Sequence, residues 1–122
     1  HRLRFGPDAY WRDAMAVMGT WKVIGTSSKV GGEVDESDRY WMVSMEFARD
    51  RSAIPTDGKG SRDMDSHRWF HADSRIHLDW YGRNKEHPQA TTIVMQIQDD
   101  RLYVPWPLGN DESGFLVMTR ER

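Results

Sequence analysis

His67, His71 and His77 lie within an eleven-residue span, with Asp63, Asp65, Asp73 and Asp79 close by. Imidazole and carboxylate together are the donor set of a zinc site. On a strand, however, His67 and His71 stand about 13 Å apart, too far to share one ion without a bend or bulge. His77 and Asp79 read as the solvent face of an amphipathic strand. Glu46 and Asp79 are carboxylates of the kind used in acid–base catalysis, but nothing in their spacing brings them together. The acidic stretches DESD (35–38) and NDES (110–113) lack the spacing of a calcium-binding loop and read as solvated turns. The chain has no Gly-x-Ser-x-Gly elbow, no phosphate-binding glycine loop, no His-Glu-x-x-His and no cysteine. No catalytic residue, metal ligand or cofactor is therefore assigned.

The aromatic content is the other chemical feature. Six Trp and four Tyr in 122 residues suit either a surface for a carbohydrate or aromatic ligand, or a small core that uses indole for buried area. Charge narrows the partners. Seventeen Lys and Arg against nineteen Asp and Glu give a net charge of -2, without the basic excess that nucleic-acid binding requires. No apolar run approaches the ~20 residues of a membrane-spanning helix. The first residue is His1 rather than Met, which reads as a processed or trimmed chain from which any signal peptide is gone.

These residues must be positioned by a β-rich scaffold. Residues 7–18 read as one short helix, with Pro7 in its first turn and Gly19 as its stop. Trp11, Ala14, Met15 and Met18 form its apolar stripe. From Thr20 the period becomes two. Trp41, Val43, Met45 and Phe47 alternate with polar residues, as do Ile76, Leu78 and Trp80, then Ile93, Met95 and Ile97, then Leu102, Val104 and Trp106. TWKVIGTSS and GFLVMTRER are strands whose alternation is less clean, and a short edge strand is expected near 52–55. Clusters of Gly, Asp, Asn and Pro separate the runs. About eight short strands joined by tight turns, each with one apolar face, are most simply closed into an up-and-down antiparallel barrel. The expectation is a single mainly β domain over 1–122, with an N-terminal segment and helix (1–18) and a barrel (19–122). The inward residues then include Trp41, Val43, Met45, Phe47, Leu78, Trp80, Met95, Val104 and Trp106, which either fill the barrel or wall a small cavity.

Several of these segments also resemble a family. Gly19-Thr20-Trp21 is similar to the Gly-x-Trp opening of lipocalin-like, calycin-type barrels. In order and spacing, GTW (19–21), MEFARD (45–50), FHAD (70–73), IHLDW (76–80), IQDDRLYV (97–104) and FLVMTRER (115–122) resemble small lipocalin-like domains of planctomycete bacteria whose function is unknown. The resemblance spans about residues 18–122. It implies that Gly19 and Trp21 close one end of the barrel, with Arg120 or Arg122 packed over the indole as a cation–π partner. It also implies a non-catalytic domain, exported or in the cell envelope, that binds a small apolar or aromatic ligand in or at the mouth of the barrel. Two alternatives stand beside it: a filled barrel serving as a structural or protein-interaction module of the cell envelope, and a small enzyme using the barrel mouth.

Overall fold

The computed structural model describes residues 15–37, 42–62, 67–73, 75–81, 90–107 and 113–121. Eight strands follow one another: β1 (Gly19–Ser27), β2 (Met42–Phe47), β3 (Ala53–Asp57), β4 (Arg68–Ala72), β5 (Arg75–Tyr81), β6 (Ala90–Gln98), β7 (Arg101–Pro107) and β8 (Ser113–Arg120). Their order in the sheet is β3-β2-β1-β8-β7-β6-β5-β4, with antiparallel neighbours throughout. The sheet curls until β3 and β4 meet at one bridge, Ser52 with Arg68, which makes a nearly closed barrel. The first and last strands share a ladder of six residue pairs, so the seam falls between β3 and β4.

One end is closed by the segment before β1. Residues 15–17 are helical, while the rest of the helix expected over 7–18 lies outside the described residues. The side chain turned inward here is Val17, which is fully buried, whereas Met15, expected on the apolar stripe, is exposed. The Trp21 indole explains the choice. Its N–H donates to the Val17 carbonyl at 2.7 Å, pulling that turn over the barrel end. Arg120, register partner of Trp21, lies over the ring at 4.6 Å. Its guanidinium donates to the carbonyls of Met18, at 2.6 Å, and Ala16. Gly19 has φ of +120°, and a Cβ there would stand 3.0 Å from the Arg120 guanidinium. Arg122 lies outside the described residues.

The interior is filled from this end upward. Trp21, Met45, Phe47, Trp69, Leu78, Met95, Leu102, Val104, Leu116 and Met118 form one continuous core with Val17 and Met42. Two bulges alter the expected pattern. In β2, Met42 pairs with Asp57 and Ser44 with Thr56, leaving Val43 as the extra residue. Met42 therefore points inward (1% exposed) and Val43 outward (42%), which removes Val43 from the interior set. In β1 the register shifts between Val23 and Gly25. Trp41 lies outside the described residues.

The outer face of β7 and β8 is also covered. Tyr103 and Val117 point away from the core yet are 2% and 0% exposed. The stretch after β1 folds back over them. Thr26 and Asp35 exchange backbone hydrogen bonds of 3.1 and 2.7 Å, and a Cβ on Gly25, opposite Val117, would collide with the Asp35 carbonyl. Gly31 reaches as far as the Gln98 side chain on β6. This strap accounts for the blurred alternation of GFLVM, because both faces of that strand are buried.

Trp21→Ala removes the largest side chain of the closed end and is expected to cost about 3–5 kcal/mol. Urea unfolding measures it, and a loss under about 1 kcal/mol contradicts the closing role. Arg120→Ala should cost about 2 kcal/mol through its lost charged hydrogen bonds, while Arg122→Ala leaves the midpoint unchanged. A reversed ranking would place the wrong arginine over Trp21.

Candidate aromatic mouth

At the end away from Trp21, the inward positions of β5 and β7 end on Trp80 and Trp106. Strand alternation places them there. Trp80 continues the face of Ile76 and Leu78, and Trp106 that of Leu102 and Val104. Trp106 pairs across β8 with Gly114, a residue that offers no side chain beside the indole. The two indoles meet edge to face, with centroids 5.1 Å apart and planes at 84°. His67 stacks flat on Trp80 at 3.8 Å and 8°. This pairing follows from the β4–β5 register: Arg68 opposite Asp79 puts His67 beside Trp80. His67 itself is buried, and the two tryptophans are half-buried and packed against the core.

The seam holds His67 in place. Its carbonyl accepts from the Ala53 N–H at 3.0 Å and from the Arg68 guanidinium at 2.9 Å. Next to it, Trp69 repeats the arrangement at Trp21. Its indole N–H donates to the Ala48 carbonyl at 2.8 Å, its backbone N–H to the Arg51 carbonyl at 2.9 Å, and the Arg51 guanidinium lies 4.4 Å over the ring. Trp69 also meets Phe47 edge to face at 6.4 Å. The turn that presents Arg51 is set by Asp50, whose carboxylate accepts from the Ser52 N–H at 2.9 Å. That bond, chiefly, holds the Asp50 carboxyl below its ordinary range.

The anticipated site residues divide into two groups. Met45, Phe47, Leu78, Met95 and Val104 are deeply buried and pack on one another. Trp80 and Trp106 alone of the described set reach the accessible end. The sequence spacing offers His67 only as a metal ligand, and its stacking on Trp80 depends on the β4–β5 register.

The other anticipated chemistry stays dispersed. Glu46 is paired with Arg62 at 2.5 Å on the surface, and Asp79 accepts from Thr92 at 2.8 Å on β5. His77 stacks on Phe70 at 4.8 Å, and their pairing puts both on the opposite face of β4–β5 from Trp69 and Leu78. Asp35 is tied to Ser37 by bonds of 3.0 and 2.6 Å. Among the described residues no group of three or more His, Asp or Glu converges as a metal site, and no helix is long and apolar enough to cross a membrane. Comparison of the chain with protein-family models, curated proteins and solved structures finds no match.

Asp50 gives the seam a pH dependence. Its carboxyl is depressed in the folded state, so its contribution is present above the ordinary carboxylate range and is lost as pH falls through the folded value. Asp50→Asn should therefore lower the urea midpoint at pH 7 and make little difference near pH 3. A gap between the two proteins that is constant with pH contradicts the role given to this carboxylate.

Proposed function

We propose that this chain is a lipocalin-like, non-catalytic binder that holds a small planar apolar or aromatic ligand at the mouth formed by Trp80, Trp106 and His67. One observation carries the reading. Among the described residues, the inward aromatic side chains Trp80 and Trp106 are half-buried at this end, above the buried Leu78, Met95, Leu102 and Val104. Two indoles at right angles with an imidazole stacked on one of them offer faces and edges to an incoming ring. The packed interior leaves the ligand shallow, with Leu78 and Val104 as its floor. The Gly-x-Trp opening and the arginine over Trp21 support the lipocalin-like assignment, which rests on that likeness and on the meander order.

The naphthalene dye 1-anilinonaphthalene-8-sulfonate is a suitable probe, read by its fluorescence and by quenching of tryptophan emission. Trp106→Ala and Trp80→Ala should each weaken binding about tenfold, in line with the loss of one aromatic contact. Lys22→Ala, on the outer face of β1, should leave it unchanged. Equal effects of all three, with folds intact by circular dichroism, remove the mouth as the site. A protein that takes up neither this dye nor any co-purified small molecule in native mass spectrometry fits a filled, protein-binding barrel instead.

A further inference from the structure

The three side chains of the mouth are not equally open to a ligand. Trp80 and Trp106 are half-buried, but His67 is only 3% exposed, so an incoming ring cannot lie on its imidazole. The imidazole instead covers one face of Trp80, 3.8 Å away and 8° from parallel. Trp80 gains by such a neighbour. Its indole turns about two side-chain bonds unless something flat lies against it. Leu78, one inward step below on β5, fills the space beneath but has no plane to align a ring.

His67 is itself held from outside the mouth. Its carbonyl accepts from the Ala53 N–H at 3.0 Å and from the Arg68 guanidinium at 2.9 Å. One residue on, Arg68 bridges to Ser52, and after it the Trp69 N–H donates to the Arg51 carbonyl at 2.9 Å. Residues 67–69 are therefore bonded in turn to residues 51–53. These bonds lie at the His67 end of β4, beside Trp80. On the other side the register of β4 on β5, with Arg68 opposite Asp79, sets how His67 meets the indole. Backbone on two sides fixes an imidazole plane, and that plane fixes an indole. A side chain ordered in advance spares the ligand the entropy of ordering it.

We infer that His67 is a positioning residue: it does not contact the ligand, and it holds the Trp80 indole at the angle to Trp106 that receives an aromatic ring. The inference rests on the mouth being the binding site. What position 67 must supply is a flat ring, rather than bulk or a polar nitrogen.

Leucine fills a similar volume without a plane, and phenylalanine restores one. Two readouts are taken on the parent, His67→Leu and His67→Phe. One is the affinity for 1-anilinonaphthalene-8-sulfonate. The other is the coupled ultraviolet circular-dichroism band of the two touching indoles, whose shape depends on their mutual angle. The band is identified by its loss in Trp80→Ala and in Trp106→Ala, and a parent without it overturns the fixed pair. His67→Leu should bind the dye about fivefold more weakly and lose the band, while His67→Phe stays near the parent in both. Parent-like behaviour of both variants overturns the positioning role, because bulk alone then suffices. An equal loss in both overturns it as well, since a plane does not restore the site. In a parent that binds, either readout changing without the other overturns it too. A parent that does not take up the dye, or tryptophan variants that bind it undiminished, defeat the mouth reading instead. The band then judges the positioning of Trp80 alone, by the same comparison. Where His67→Leu does not unfold cooperatively in urea, His67→Met, equally without a plane, takes its place.

Discussion

The fold depends on one indole with three partners. Trp21 fills the closed end with its ring, ties the preceding turn with its N–H, and supports a guanidinium on its face. Each contact needs the others. Without the ring, Arg120 has no platform from which to reach the Ala16 and Met18 carbonyls. Without Arg120, those carbonyls at the end of a helical turn lose their donors. The turn in turn carries Val17 into the core. Cation, ring and backbone thus join the first strand to the last at the point where an open sheet would expose two edges. Gly19 is required because its backbone lies in the left-handed region and any side chain would crowd the guanidinium.

Arg51 and Trp69 apply the same chemistry at the seam, where the backbone ladder is thin. A tryptophan that donates to a carbonyl across a turn and lies beneath an arginine is an economical fastener. It places a large apolar area in the core while its one polar atom is satisfied. Both fasteners act toward the same end of the barrel.

Much of this was readable from local pattern. Period-two alternation located β2, β5, β6 and β7, and Trp80 and Trp106 were placed inward by it. Arg120, one of the two arginines offered by the likeness to calycin-type barrels, lies over the Trp21 ring. Other features were not readable because they are set by tertiary contacts. The bulge at Val43 has no local signal, since a strand with one extra residue looks like an alternating strand until its partner is known. The strap over Tyr103 and Val117 left a trace in the consecutive apolar residues of FLVM, which is the pattern of a strand buried on both faces. The stack of His67 on Trp80 required the register of β4 on β5. Three histidines near four aspartates suggested coordination chemistry, yet strand geometry sends His77 and His67 to opposite faces.

The ladder between β1 and β8 has a consequence for how the molecule is made. Residues paired at the closed end, such as Trp21 and Arg120, are separated by nearly the whole chain. During synthesis β1 emerges before the other seven strands and pairs first with β2, while its other edge waits for β8. Until then Trp21 and the inward residues of β1 remain accessible to solvent and to neighbouring chains. Such long-range pairing makes folding slow and leaves the nascent chain open to association. Lys22, which projects from the outer face of β1, puts a charge on that waiting edge, a common guard against edge-to-edge pairing. The interval before the barrel shuts is therefore the chain's most vulnerable stage.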